Sequence, residues 1–177
     1  MGQEIEKKYL LREDGVDYAT PYLLALYPSV DLLRQEVLDK GVPIKQGYLA
    51  DFRELADLVG FNGNFEPTEA RLRVKFWEGF YFTLKGDGSV SRGEFEVGID
   101  SDLFDRYWDK TARRRVEKVR LADEIGGVYT VEFDVYTDRD LIVAEIEVPS
   151  LEMLAGLPVL GKDVTEDKKY KNKNLAR

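Results

Sequence analysis

Residues 3–8 read Gln3-Glu4-Ile5-Glu6-Lys7-Lys8, and residues 144–148 read Ala144-Glu145-Ile146-Glu147-Val148. Successive side chains of a β-strand point to opposite faces, so residues two apart share a face, about 7 Å from each other. Read as strands, the first stretch presents Glu4, Glu6 and Lys8 on one face and Ile5 on the other, and the second sets Glu145 and Glu147 against Ile146 and Val148. The pattern recurs in Arg71, Arg73 and Lys75 around Leu72 and Val74, and in Arg92, Glu94 and Glu96 around Phe95. It returns in Lys118 and Arg120 around Val119, and in Glu132 and Asp134 around Phe133 and Val135. Each strand carries one charged and one apolar face.

A sheet with one face in a core and one in water gives such alternation, and a solvated face accounts for any one strand taken alone. Six strands together point elsewhere. A wet face mixes signs, because like charges close together on a sheet repel, whereas here acidic pairs and basic pairs fall on different strands. A barrel interior that holds metal ions and a polyanion has use for that segregation: acid pairs for the cations, basic pairs for the anion.

The 177 residues suffice for one domain with a sizeable core, and the apolar share of 44% and charged share of 34% fit a globular protein. The densest apolar run, Tyr22 to Tyr27, is far too short to span a membrane. The start, Glu4-Ile5-Glu6-Lys7-Lys8, lacks the basic-then-apolar layout of a secretion signal, so a cytoplasmic location is expected. Histidine and cysteine are both absent. Imidazole bases, serine-histidine triads, cysteine nucleophiles and thiolate zinc sites are thereby excluded, leaving carboxylates, Lys, Arg, Tyr or a hard metal with oxygen ligands. A net charge of −8 argues against broad nucleic-acid binding, while local basic clusters can still attract a small anion.

Periodicity predicts a first strand from Gln3 to Leu11, then helices over Pro21–Leu26 and Val30–Lys40, the second capped by Ser29 and Gly41. Further strands are expected at Ile44–Leu49, Ala70–Trp77, Phe80–Lys85, Gly93–Ile99, Arg114–Leu121, Val128–Tyr136 and Leu141–Val148. Asp51–Val59 and Asp102–Asp109 read as helices, Phe61–Pro67 as a loop, Ser150 as the cap of a helix, and Thr165–Leu175 as a final helix. About eight strands with few long helices suggest a closed or nearly closed antiparallel barrel.

Several segments arrive in an order that resembles the CYTH, or triphosphate tunnel metalloenzyme, family. They begin with the E-x-E-x-K signature at Glu4-Ile5-Glu6-Lys7-Lys8, then Gln46-Gly47-Tyr48-Leu49, Arg71-Leu72-Arg73 and Thr83-Leu84-Lys85-Gly86. Arg92-Gly93-Glu94-Phe95-Glu96, Lys118-Val119-Arg120, Phe133-Asp134-Val135-Tyr136 and Ala144-Glu145-Ile146-Glu147 follow. The ending, with Asp163-Val164-Thr165, Tyr170-Lys171-Asn172 and Leu175-Ala176, is similar too, and coverage is essentially end to end.

The resemblance implies a mainly β (α+β) fold over residues 1–177, an eight-stranded antiparallel closed β-barrel, or tunnel, with flanking helices. It also implies a lumen that binds a small-molecule triphosphate with Mg2+ or Mn2+. Activities in the family are hydrolysis of inorganic triphosphate, thiamine triphosphate or RNA 5′-triphosphates, and cyclisation of ATP as in class IV-type adenylate cyclases. The segment from Asp51 to Pro67 is longer than expected between its flanking strands and bears on the shape of one tunnel mouth.

On this reading Glu4, Glu6, Glu145 and Glu147 bind metal, with Glu94, Glu96 and Asp134 as further ligands or supporting partners; structural salt bridges are the alternative for each. Lys8, Arg71, Arg73, Lys85, Arg92, Lys118 and Arg120 are the expected phosphate ligands, arginine through its planar fork and lysine as a point charge. Catalysis is assigned to Glu4, Glu6, Glu147 and Lys85. Lys75 is either a further ligand or a solvated lysine, and Tyr81 and Thr83 share the face of Lys85. Arg113–Arg115 and the basic stretch Lys168, Lys169, Lys171 and Lys173 read as mostly solvated, although one C-terminal lysine can reach the tunnel. Trp77 and Trp108 read as packing residues more than as platforms for an organic group. Inorganic triphosphatase leads, ahead of thiamine triphosphatase or adenylate cyclase, and a catalytically silent polyphosphate or nucleotide binder is the rival of another class.

Overall fold

The computed structural model describes residues 2–63, 65–88 and 90–177. The Gln3 side chain lies outside that description, as does Asn64 within the loop expected over Phe61–Pro67. In chain order the elements are β1 (Gly2–Glu13), β2 (Val16–Asp17), α1 (Pro21–Leu26), α2 (Val30–Lys40), β3 (Val42–Leu49), α3 (Arg53–Leu58), β4 (Glu69–Lys75) and β5 (Gly79–Lys85). They continue with β6 (Ser91–Ile99), α4 (Ser101–Trp108), β7 (Arg115–Ile125), β8 (Tyr129–Tyr136), β9 (Leu141–Glu147), β10 (Lys162–Asp163) and α5 (Asn172–Leu175).

Eight strands pair antiparallel in the order β1-β6-β5-β4-β3-β7-β8-β9, and β9 returns to pair with β1, closing the barrel. The period-2 alternation then fixes what lies on each side of the wall. The charged face turns inward and the apolar face turns outward, where helices cover it. α1 and α2 lay Leu23, Val30, Leu33 and Val37 against Ile5, Phe133, Val135 and Ile146. α3 and α4 lay Leu55, Ala56, Phe104 and Tyr107 against Leu72, Phe82 and Leu84. Local chemistry starts the helices: Ser29, as expected, and also Thr20 and Asp100 each accept a bond from the backbone N–H three residues on.

The structure departs from the sequence reading at several points. The segment 51–67 reaches one end of the barrel only at its start, where Phe52 lines a cavity beside Tyr48 and Glu69. Its helix α3 and the rings of Phe61 and Phe65 cover the outer wall, Phe61 meeting Phe95 edge-on at 5.3 Å. The expected helix at Thr165–Leu175 breaks at Lys171, whose extended backbone separates a 3-10 turn (Lys168–Tyr170) from α5. Burial of Tyr170 and Leu175 on either side overrides the helical pattern. Ser150 precedes a 3-10 helix rather than an α-helix, and makes no side-chain cap bond. β2 and β10, two residues each, are too short to show any periodicity.

The bore is not ionic throughout. Inward-facing Leu10, Val116, Tyr136, Leu141 and Val143 pack with Val164, Tyr170 and Leu175, so the returning C-terminal segment closes part of one end with apolar groups. That segment is anchored by Val164 N–H donating to the Lys8 carbonyl at 2.9 Å and by paired backbone bonds between Arg115 and Arg177.

One close approach sets a stability test. A Cβ on Gly47, at an outward position of β3, would lie 2.4 Å from Thr111 Oγ1 and 2.6 Å from Thr111 Cβ. Gly47→Ala should therefore cost about 1–3 kcal/mol, the usual range for overpacking, seen as a lower denaturant midpoint at unchanged slope. A midpoint equal to the parent's would contradict this packing.

Candidate functional site

The bore encloses a cavity of about 340 Å³ lined from every stave of the barrel. β1 contributes Glu4, Glu6 and Lys8; β4 contributes Glu69, Arg71, Arg73 and Lys75; β6 contributes Arg92, Glu94 and Glu96. Tyr48, Lys85, Arg120, Glu132, Glu145 and Glu147 add to the lining, and the C-terminal segment supplies Thr165, Asp167, Lys171 and Asn172. Signs are segregated around the ring. The acidic staves β8, β9 and β1 are consecutive neighbours, β4 and β7 are basic, and β3 between these two presents the neutral Gln46 and Tyr48.

Most of these charges are paired. Glu4 accepts from Lys85 and from Arg92, the latter at 2.7 Å; burial alone would raise its pKa, but these two cations outweigh burial and hold it near 2. Lys8 sits 2.7 Å from Glu145. Despite full burial, Lys8 and Arg120 keep the Glu145 carboxyl well below the usual range. Glu96 takes Arg73 at 2.6 Å and the Thr83 hydroxyl at 2.7 Å.

The departures from pairing matter more. Glu6 is 3.9 Å from Lys8, and burial together with the nearby Glu145 pushes its pKa up to about 7. Glu147, opposite Glu6 in the β1–β9 register, is also raised, by burial and by Glu4, Glu94 and Glu132. On the basic side, the Nε groups of Arg71 and Arg73 are buried without a hydrogen-bond partner among the described residues. Burial and the neighbouring Arg71 bring Arg73 down to about 10. Tyr48 accepts from Gln46 Nε2 at 2.9 Å, and its own proton has no acceptor among the described residues. One side of the cavity thus has negative charge in excess and the other has unspent donors, an arrangement that fits a cation and an anion together.

Two expected ligands lie off the lining. Asp134 is fully buried, its oxygens taken by Lys118 and by the Arg120 fork at 2.6 Å, and Lys118 lies beside it. Both stand behind Arg120 rather than on the cavity surface, because the strands carry those positions toward the apolar end of the bore. Thr83 also lies behind the lining, as a partner of Glu96 and Arg71. Sequence reading missed Glu69 and Glu132 as lining residues, although the alternation around Leu72 and Phe133 already gave their phase. It also missed Asp167 and Asn172, which only the broken C-terminal helix brings inward. Lys171 does reach the bore, donating to the Gly88 carbonyl at 2.8 Å. Trp108 stacks on Phe104 at 4.9 Å as a packing residue should. Trp77 does not pack: it is 85% exposed at a hairpin tip.

The donor set for a cation is wholly carboxylate, the chemistry that suits Mg2+ or Mn2+. Among the described residues no three carboxylates stand close enough to hold a metal by themselves. Magnesium commonly completes its shell with waters and substrate oxygens, so one or two protein carboxylates suffice and the residues fit the ion.

A closed barrel with acidic and basic staves facing one another across a small polar bore defines a protein built to hold a small polyanion with a cation. The chain is 34% identical over 160 residues to the inorganic triphosphatase of Nitrosomonas europaea, covering 88% of this chain and 93% of that protein. It belongs to the family of that inorganic triphosphatase. Two solved structures agree: the crystal structure of the inorganic triphosphatase NE1496, at 29% identity and TM-score 0.55 over 99% of this chain and 95% of that one, and a structure described as the hypothetical protein NE1496, at 29% identity and TM-score 0.54 over 98% and 97%. No family model matches the chain.

The Glu6 environment gives a test with a defined sign. A carboxyl raised to about 7 in the fold, from an ordinary 4.5, destabilises the ligand-free protein fully above pH 7. That penalty fades as pH falls from 7 to 4.5. Glu6→Gln should therefore melt higher than the parent at pH 8, with the gap narrowing toward pH 4.5. A gap that is absent or independent of pH would contradict the assignment.

Proposed function

We propose that this protein hydrolyses inorganic triphosphate, with Mg2+ or Mn2+ as cofactor, inside the bore. The observation that carries this reading is the coexistence, in one cavity, of unpaired Arg71 and Arg73 Nε donors with the under-neutralised carboxylates Glu6 and Glu147. Membership of the inorganic triphosphatase family supports it.

Arg71, Arg73, Arg92, Arg120, Lys8, Lys85 and Lys171 hold phosphate oxygens and align the chain for in-line displacement. Glu4, Glu6, Glu145 and Glu147 hold the cation, with Glu94 and Glu96 beside them. When bound, the cation supplies a Lewis acid and makes nearby water more acidic. Asp134 and Lys118 act one layer back by fixing Arg120. Water adds to the terminal phosphorus, the bridging P–O bond breaks, and orthophosphate and diphosphate are formed with release of a proton. Without histidine, a carboxylate of the bore is the side chain left to take that proton. Tyr48 is the one aromatic residue lining the cavity among those described, which favours a bare phosphate chain over thiamine triphosphate or ATP. The expected location is the cytoplasm; no helix among the described residues is long and apolar enough to cross a membrane.

Orthophosphate release should be fastest from inorganic triphosphate when compared with thiamine triphosphate and ATP, should stop on chelation, and should return with Mg2+ or Mn2+. Glu4→Gln and Glu147→Gln should each lower turnover by about 10²-fold or more with an unchanged circular dichroism spectrum. Near-normal turnover in both variants would refute the mechanism, and tight binding without turnover in either metal would leave a silent binder.

A further inference from the structure

Three features that the bore does not absorb meet at one end of the barrel: the start of the long segment 51–67, the Arg113–Arg115 run and the C-terminal helix. They contribute Phe52, Arg114, Lys173 and Asn174 to a second cavity of about 440 Å³. Tyr48 and Glu69 line both this vestibule and the bore, so the two spaces adjoin at these side chains, here termed the throat.

Glu69 is an odd residue for that place. It opens β4 in register with Lys85, but the Lys85 ammonium is held by Glu4. Its ion-pair partner is Lys173 of the C-terminal helix, at a loose 3.7 Å, and its side chain is only 9% exposed. A mostly buried carboxylate thus stands between two cation-lined spaces, with Arg71 and Arg92 on the bore side and Arg114 and Lys173 on the vestibule side. Without it, the vestibule would draw in whatever length of phosphate chain projected from the bore.

We propose that Glu69 is a specificity-determining residue that limits the substrate to three phosphates. The inference rests on the triphosphatase reading above and concerns how much of a linear phosphate chain the same site accepts. Every phosphate of such a chain carries negative charge. With three phosphates against the bore arginines, a fourth enters the throat beside the Glu69 carboxylate, where burial leaves their repulsion little screened by salt. Lys173, 3.7 Å away, offsets part of that charge. The chemistry is unchanged, since tetraphosphate and water give triphosphate and orthophosphate by the same bond exchange.

The test compares initial rates of orthophosphate release from triphosphate and tetraphosphate with Mg2+ in the full chain. The wild type should favour triphosphate. Glu69→Gln should raise the tetraphosphate-to-triphosphate ratio of kcat/KM by about tenfold or more, as relief of a like-charge contact predicts. Adding Arg114→Ala to Glu69→Gln should reverse much of that gain, because the vestibule then offers the fourth phosphate one cation fewer. Lys173→Ala, which leaves Glu69 uncompensated, should lower the ratio and serves if Glu69→Gln fails to fold. A wild type that accepts both substrates equally, or a ratio unmoved by these variants, would overturn the length limit. Absence of triphosphate hydrolysis in the wild type would instead overturn the functional reading, and the limit with it.

Discussion

The pairing of β9 with β1 is the constraint on which the molecule turns. It closes the sheet, and its register sets Glu6 opposite Glu147 and Lys8 opposite Glu145. Because strand side chains alternate strictly, one such register commits every residue of both strands to a side of the wall. Closure then turns six charged faces upon one another. The helices follow from this choice, since an inward-facing ionic surface leaves the apolar surface outside, where α1 to α4 must cover it.

An ionic interior is expensive. Each ion withdrawn from water loses hydration that its partner repays only in part. The bore meets that demand by near-complete pairing: Glu4 with Lys85 and Arg92, Glu145 with Lys8 and Arg120, Asp134 with Lys118 and Arg120. What remains unmet is localised, in Glu6 and Glu147 on one side and in the arginine Nε groups on the other. A bound cation and a bound phosphate chain would settle both imbalances at once, so the ligand-free molecule carries in its electrostatics an image of what it holds. The apolar end around Tyr136 and Leu175 confines that ionic region, and Glu69 stands where it adjoins the vestibule.

Much of this was legible in the sequence because period-2 alternation is a direct record of sidedness. Glu4, Arg73 and Glu145 could be assigned to one interior without any structure, and α1 and α2 were readable from apolar spacing, the second also from its caps Ser29 and Gly41. Other residues were not legible, for reasons of geometry. How deep a residue lies in a tilted barrel depends on stagger between strands, which the pattern of one strand does not carry; Asp134 shares its phase with Glu132 yet lies below the cavity. Lys171 was hidden because tertiary burial of Tyr170 and Leu175 broke a helix that local pattern favoured. Trp77 looked like packing material because hydrophobicity says nothing about whether a hairpin tip finds a partner.

The central claim is that the inward faces form one site where a cation and a phosphate chain are held together. Its most direct measurement is a crystal structure of the protein with Mn2+ and triphosphate, read by the anomalous signal of manganese. The account predicts manganese bonded to oxygens of Glu6 or Glu147 and of the phosphate chain, with the chain against Arg71 and Arg73. Manganese and triphosphate bound on the exterior, with the bore still closed on its own salt bridges, would contradict it.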